Sequence, residues 1–177
     1  KLALFGASII ILLILMAIFA PYIASHDPTG IDIKSAYLAP SAMHFFGTDS
    51  LGRDLFSRII YAARIALLIG IVAVGIASLI GIALGAIAGY FGGKMDTVIM
   101  RFTDIMLCFP SLFLILSVVA IVGPGIFNIM VIIGLTSWMG IARLIRAEVL
   151  SLKTREFVLA SRALGRSNFY IITKHLI

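Results

Sequence analysis

One uninterrupted apolar stretch decides the fold: IALLIGIVAVGIASLIGIALGAIAGYF, residues 65–91. A helix needs about 20 mostly apolar residues to cross the hydrocarbon of a bilayer, and this stretch exceeds that length without a charged residue. The whole chain is 62% hydrophobic and only 12% charged, whereas soluble globular chains are about half apolar and about a quarter charged. We therefore expect an integral membrane protein.

Three further apolar runs are candidates for membrane spans. They cover roughly residues 2–23, 105–122 and 126–141, and the breaker Gly123-Pro124-Gly125 separates the last two. Trp138 stands near the end of the last run, where its amphipathic ring suits the membrane interface. The expected fold is therefore all-α: a polytopic transmembrane helical bundle with four spans.

The distribution of basic residues predicts the orientation in the membrane. The net charge is +6, and ten of the 14 basic residues are found at Lys1, between spans two and three, or after span four. Because loops rich in Lys and Arg stay in the cytoplasm, Lys1 and residues 142–177 are expected inside and residues 24–64 outside. Orientation accounts for the charge excess, so nucleic acid is not expected as a partner.

These features divide the chain into three regions. They are a first transmembrane helix (1–23), an extracytoplasmic segment (24–64), and a core with spans two to four and a cytoplasmic loop at 148–177 (65–177). The chain begins at Lys1 rather than at a methionine and stops within a helical pattern at Ile177. We therefore expect a fragment that lacks both natural ends.

The second half of the outer segment has the features of an ordered structure: HFFGTDSLGRDLFSRIIYAAR, residues 44–64. Asp49 or Ser50 is expected to cap a helix whose first turns carry residues 52–54. Apolar residues follow at helical spacing, which predicts an amphipathic helix on the membrane surface that leads into span two. A plain solvated loop is the alternative.

Span two carries a small residue at every fourth position: Ala73, Ala77, Gly81, Gly85 and Gly89. Small side chains on one helix face let two backbones approach closely, which favours helix association in lipid. We therefore predict tight helix packing along this stripe. A face that lines a narrow path is the alternative.

Two residues of span three have special chemistry. Pro110 removes a backbone hydrogen bond, so either a hinge or a static kink is expected there. Asp104 lies one turn from Arg101 on the same helix face. A structural ion pair between them is favoured over a proton relay.

Signals for catalysis or metal binding are poor. The three histidines, His26, His44 and His175, are far apart in sequence, and no two have metal-ligand spacing. The single Cys108 has no partner, and neither a GxSxG nor an HExxH motif occurs. We therefore expect no enzyme, no metal site and no cofactor held by this chain.

The segment EFVLASRALGRSNFYIITKHLI, residues 156–177, is charged and helix-forming. We expect two short helices, with Gly165 in a left-handed C-cap between them and Ser167 capping the second. The expected apolar face is Phe157, Ala160, Ala163 and Leu164, continued by Phe169, Ile172 and Leu176. From the residues alone, a docking element for a cytoplasmic partner and an anchor on anionic lipid are equally good explanations.

Two stretches resemble a known family. FVLASRALGRS, residues 157–167, resembles the cytoplasmic Glu-Ala-Ala loop of permease subunits from bacterial binding-protein-dependent ABC importers. HFFGTDSLGRDLFSR, residues 44–58, closely resembles a signature of one branch, the second permease of dipeptide, oligopeptide and nickel importers. The order of elements also matches, and residues 89–116 are similar to that branch, so the resemblance covers nearly the whole chain.

One position departs from the family loop. The family's Glu-Ala-Ala aligns with Leu159, Ala160 and Ser161, and its later glycine aligns with Gly165. Leu159 therefore replaces the usual Glu. Glu156, one turn earlier, is the candidate to supply the carboxylate on the same face.

The resemblance implies a multi-pass permease of a bacterial or archaeal cytoplasmic membrane, with six spans in the full protein. It implies ATP-driven import of peptides or of a related small solute such as a nickel chelate. The implied partners are a companion permease, two ATP-binding subunits that hold ATP and magnesium, an extracytoplasmic solute-binding protein and membrane lipid. An ATPase-independent secondary transporter or channel is the alternative, but it would need charged or broken helices at mid-membrane.

The resemblance also implies two groups of functional residues. The ATPase-coupling residues are Glu156, Phe157, Ala160, Ser161, Arg162, Ala163, Gly165 and Ser167. The extracytoplasmic signature, expected to order the start of span two and to face the binding protein, is Phe46, Gly47, Thr48, Asp49, Gly52, Arg53 and Asp54.

Overall fold

The structure, a computed structural model, describes residues 2–176, and the regular elements in that range are helical. The α-helices are α1 (Leu2–Ile18), α2 (Ala20–Ile23), α3 (Leu55–Phe91), α4 (Gly93–Leu107), α5 (Ser111–Val122), α6 (Ile126–Thr136), α7 (Trp138–Leu152), α8 (Glu156–Ala163) and α9 (Asn168–Ile171). A short 3-10 helix covers Ile33–Ser35, and a π-helical turn covers Ile172–Leu176. The expected all-α class is confirmed.

The chain forms two compact units, one up to Ile69 and one from Gly70 onward. In the first unit, α1 and α2 together cover the predicted first span, with a break at Phe19 and with Pro21 in the first turn of α2. Proline is tolerated there because its missing N–H would have no partner inside the helix. With 17 residues, α1 is about 26 Å long, somewhat less than the hydrocarbon thickness of about 30 Å. A first span in this region stays a prediction.

Within the described residues 2–176, two helical segments are long and apolar enough to cross a membrane: Leu55–Phe91, and Ile126–Leu152, which joins α6 to α7. The 37 residues of α3 extend about 55 Å. The predicted surface helix and span two are therefore one continuous helix. The helical segment that contains the predicted span four continues past residue 141 to Leu152, and the end of the span itself stays a prediction.

The predicted third span is bent rather than straight. Helix α4 ends at Leu107, α5 begins at Ser111 after Pro110, and the two axes differ by 83°. With 12 residues, α5 is only about 18 Å long, too short to cross a bilayer alone. The pair counts as a third candidate span only if both helices belong to it. The count of four spans stays a prediction.

The core of the second unit lies between α3 and α7. Trp138, Met139 and Ala142 are buried against Ala77. The Trp138 ring is 4% exposed and stacks on Phe102 at 6.0 Å between centroids. The ring thus fills the contact between α4 and α7, and its level at the membrane interface stays a prediction.

Candidate functional site

The glycine seam joins α3 to α7 at Gly81, Gly85 and Gly89. A Cβ atom added at Gly85 would lie 2.5 Å from the carbonyl oxygen of Ala142, and one added at Gly89 would lie 2.9 Å from that of Arg146. Real Cβ atoms do not approach so closely, so the two backbones are in direct contact. Nearer the start of the stripe, Ala73 and Ala77 are buried. The stripe thus lies in a helix contact of the second unit, as tight packing requires.

Ion pairs connect α4 to α7. Asp104 accepts a hydrogen bond from the Arg143 guanidinium at 2.6 Å, and Asp96 accepts two from Arg146, one of them at 2.6 Å. The predicted partner of Asp104, Arg101, is wrong. Helix spacing brings Arg101 near, but α7 packs alongside α4 and presents Arg143, a partner from outside the helix.

The C-terminal segment is built as two short helices around Gly165. Helix α8 ends in a Schellman motif: the Gly165 N–H donates to Arg162 O at 3.0 Å and the Arg166 N–H donates to Ser161 O at 3.3 Å. Gly165 adopts φ +70°, which a side chain would disfavour. Ser167 then caps α9 by accepting the Tyr170 N–H. The structure has the two helices, the glycine turn and the serine cap expected from the residues.

The buried face of this segment is not the predicted one. Val158 and Ser161 of α8 are buried, as is Ile171, and the apolar residues among them form a cluster with Tyr90 and Val149. The predicted apolar face lies outward instead. Its large members are exposed: Phe157 by 49%, Leu164 by 80% and Phe169 by 78%. Of its continuation, Ile172 is partly buried and Leu176 is buried. The buried face of α8 has one apolar residue, Val158, beside the polar Ser161, whereas the predicted face has several, so apolar periodicity favoured the wrong face.

Most of the predicted coupling residues are accessible. Ser161 is buried, whereas the others are exposed: Glu156, Phe157, Ala160, Arg162, Ala163, Gly165 and Ser167. Glu156 lines an open recess together with Ser151, Thr154, Arg155 and Phe157. Leu159, at the position of the usual family Glu, is 49% exposed. The outward face of α8 is therefore apolar with a carboxylate at its start.

Three contacts that the sequence does not reveal tie residues 153–168 to the end of α3. The Tyr90 hydroxyl donates to Asn168 Oδ1 at 2.7 Å, and the Arg162 guanidinium lies over the Tyr90 ring, 5.3 Å from its centroid. The Lys153 ammonium donates to Gly89 O at 2.8 Å. A tyrosine at the end of an apolar run was the available signal, but its partner is 78 residues away.

In the first unit, the predicted signature folds into a hydrogen-bonded loop. Asp49 accepts the N–H groups of Leu51 at 2.8 Å and Arg53 at 3.0 Å, and both Arg53 and Arg58 donate to its other oxygen. Burial raises the pKa of Asp49, but the hydrogen bonds from Arg53 and Leu51 outweigh it and lower that pKa to about 2. The carboxylate thus organises the loop around one negative charge.

Two glycines let the loop fold tightly. Gly47 and Gly52 both adopt φ +72°, and a Cβ on Gly52 would collide with the carbonyl oxygen of Asp32. Thr48 accepts the Leu38 N–H at 2.8 Å and donates to Ser35 O. The exposed Phe46 ring packs edge-on against Phe56.

The predicted helix start at Asp49 or Ser50 is wrong. Helix α3 begins at Leu55, and Asp54 precedes it and accepts both the N–H and the hydroxyl of Ser57, at 2.8 and 2.7 Å. Burial raises the pKa of Asp54, but the bonds from Ser57 and His44 outweigh it, so its pKa is below the usual value. The Asp49 side chain could cap a helix, but it accepts hydrogen bonds within the loop instead. The helix cannot begin at residue 49 because the loop continues through Gly52, which has a positive φ.

Comparisons with known proteins agree with this architecture. Residues 81–177 match the family described as "Binding-protein-dependent transport system inner membrane component", and residues 1–40 match the N-terminal transmembrane domain of oligopeptide transport permease C.

Three relatives illustrate the similarity. The chain is 44% identical over its full length to a dipeptide transport system permease protein of Alkalihalophilus pseudofirmus, covering 58% of that protein. It is 42% identical over 97% of its length to a probable D,D-dipeptide transport system permease protein of Escherichia coli, covering 58% of it. It is 39% identical over 95% of its length to the nickel transport system permease protein of the same species, covering 61%.

The chain thus spans little more than half the length of the curated relatives it matches. Both the family match over residues 81–177 and the high identity over nearly the whole chain lead to one conclusion. The protein belongs to the family of binding-protein-dependent transport system inner membrane components.

Proposed function

We propose that this chain is part of the transmembrane permease subunit of an ATP-driven importer. The proposal rests on α8, a short helix whose outward face is apolar and exposed. A Schellman motif ends the helix, and contacts with Tyr90 hold it and the following turn against the end of α3. A partner that moves such a helix also moves α3, because Lys153, Arg162 and Asn168 all contact the last turn of α3. Packed elements of this kind convert small displacements into a change between two arrangements.

The proposed topology puts residues 142–177 in the cytoplasm and residues 24–64 outside. ATP-binding subunits then hold ATP and magnesium and receive α8, a companion permease completes the pathway, and a solute-binding protein delivers cargo from outside. The chain itself catalyses no reaction and holds no nucleotide. Relatives named for dipeptide, oligopeptide and nickel transport support peptides, or a small solute such as a nickel chelate, as the cargo class. These names favour the importer over an ATPase-independent transporter or channel.

The test is substrate-stimulated ATP hydrolysis by the full-length protein, co-purified with its partners and reconstituted in membranes. Ala160→Glu places a charge on the exposed face of α8 and is expected to abolish the stimulation and the uptake. Thr173→Glu, also at an exposed position of the same segment, is the matched control and should retain both. Unchanged uptake by the Ala160→Glu protein, or failure to co-purify any ATP-hydrolysing subunit, would refute the proposal.

A further inference from the structure

Three metal-binding side chains converge in the first unit: His26, His44 and Asp54. One ligand atom from each lies within 4.8 Å of the other two. His44 Nδ1 is 3.0 Å from Asp54 Oδ1, and the centroids of the two imidazole rings are 4.6 Å apart with 30° between their planes. His26 and His44 are far apart in sequence, but the loop between α2 and α3 folds back on itself and brings their rings together.

A buried serine orients two of the three groups. Ser57 is fully buried and donates its N–H and its hydroxyl to Asp54 Oδ2, which leaves Oδ1 directed toward His44. The same hydroxyl accepts the backbone N–H of His26 at 3.1 Å. Outer hydrogen bonds of this kind fix the geometry of metal ligands. The Asp54 side chain is only 1% exposed and that of His44 11%, so both are held in place.

A purely structural explanation accounts for only part of the cluster. Asp54 caps α3, and a hydrogen bond from His44 would steady that cap without any ion. The His26 ring is not needed for this, because its Nδ1 contacts the exposed hydroxyl of Ser25 at 3.0 Å and the Ser57 bond requires only its backbone. The recess that the three residues share is also lined by Asp27 and Asp32, whose negative charges favour a cation.

We propose that His26, His44 and Asp54 bind one divalent transition-metal ion of the class that imidazole suits, such as Zn²⁺, Co²⁺ or Ni²⁺. Metal–ligand bonds of about 2.0–2.1 Å in a tetrahedron put neighbouring ligand atoms about 3.3 Å apart. The pair His44–Asp54 is already near that spacing, and the half-buried His26 ring closes the remaining gap by side-chain rotation. Three protein ligands leave the fourth position to water or to an external group.

The ion would fasten the segment after α2 to the N-terminus of α3. It would take the place of the hydrogen between His44 Nδ1 and Asp54 Oδ1. A neutral His44 then carries its proton on Nε2, and a proton is released only when both ring nitrogens are protonated before binding. The proposed role of the ion is to stabilise this loop, whichever solute the full transporter carries.

The test measures binding of Zn²⁺ and Co²⁺ to the full-length protein, purified with a histidine-free tag, stripped with chelator and held in lipid nanodiscs. The wild type is expected to bind one equivalent of Zn²⁺ by equilibrium dialysis and elemental analysis, and to give visible d–d absorption with Co²⁺. His26→Gln retains the backbone bond to Ser57 but loses a ligand, so its affinity should fall at least about tenfold. His175→Gln removes the histidine of the second unit and should bind as the wild type does.

A thermal melt separates ligand loss from misfolding. Without metal, the His26→Gln protein should unfold at the wild-type temperature; added Zn²⁺ should raise the midpoint of the wild type and leave that of the variant unchanged. The proposal is overturned if the wild type binds no stoichiometric Zn²⁺, if His26→Gln binds it with unchanged affinity, or if His175→Gln loses it equally.

Discussion

Gly85→Ala is the sharpest probe of how the second unit is held together. The added methyl would lie 2.5 Å from Ala142 O, 2.9 Å from Ile145 Cβ and 3.1 Å from Arg146 N. Two of these three atoms are backbone, so no rotamer change relieves the contact, and α3 and α7 must separate. Overpacking of this kind costs about 1–3 kcal/mol.

A gain in helix propensity partly offsets this cost. Replacing glycine by alanine inside a helix stabilises it by about 0.5–1 kcal/mol. The net loss for Gly85→Ala is therefore about 1 kcal/mol at the middle of these ranges and at most about 2.5 kcal/mol, and 1 kcal/mol is about a 5-fold change in the folding equilibrium. Gly75→Ala is the matched control in the same helix, because a Cβ there would meet nothing within 4 Å. It should stabilise by up to about 1 kcal/mol.

Reversible unfolding of the full-length protein in mixed detergent and denaturing micelles, followed by Trp138 fluorescence, measures both variants. Trp138, the single tryptophan within residues 1–177, is buried in the contact between α4 and α7, so its fluorescence reports separation of the helices; any tryptophan outside this range is replaced by phenylalanine. If Gly85→Ala proves as stable as Gly75→Ala, the backbones of α3 and α7 are not in direct contact at Gly85.

Three further predictions concern single interactions. The folded-state pKa of Asp49 is about 2, so its stabilisation is complete above the ordinary pKa of 3.8 and is lost as pH falls from about 4 to about 2. The difference in melting temperature between wild type and Asp49→Asn should shrink over that window; a constant difference would contradict it. Gly52→Ala should destabilise the folded protein by at least about 2 kcal/mol in denaturant titrations, because left-handed strain and a backbone collision combine. Gly93→Ala is the control, because Gly93 also has a positive φ but a Cβ there would meet nothing within 4 Å; it should lose only the stability that the backbone strain costs. Equal losses of stability in the two variants would exclude a collision at Gly52. A double-mutant cycle on Asp96 and Arg146, with alanine at each, should give a coupling of about 1 kcal/mol by the same titration. Strict additivity would show that the bidentate pair contributes nothing.

Local patterns identified the features that depend on nearby residues. A small residue at every fourth position puts the members on one helix face, so the sequence could predict close packing at Gly81 and Gly85. The turn at Gly165 and the cap at Ser167 follow from residue chemistry within a few positions. The length of an apolar run is also a local property, and it was sufficient to predict the all-α class.

Features that depend on distant residues could not be predicted. Helix spacing suggested Arg101 as the ion-pair partner of Asp104, but the partner is Arg143 on α7. Which face of α8 packs inward is set by its contacts with Tyr90 and Ile171, and these residues lie outside α8. His26 and His44 meet only because the intervening loop folds back on itself.

The glycine seam has a consequence for heritable variation. Glycine is the smallest residue, so every missense change at Gly81, Gly85 or Gly89 adds atoms where a Cβ already has no room. A second-site change that trims Ile141, Ile145 or Val149 makes space beside the side chains, but no codon change shortens the carbonyls of Trp138, Ala142 and Arg146. Genetic suppressors should therefore be rarest for mutations at Gly85, where the closest neighbour is Ala142 O at 2.5 Å and a second backbone atom follows, whereas Gly81 and Gly89 each face two side-chain atoms and one carbonyl at 2.9 Å.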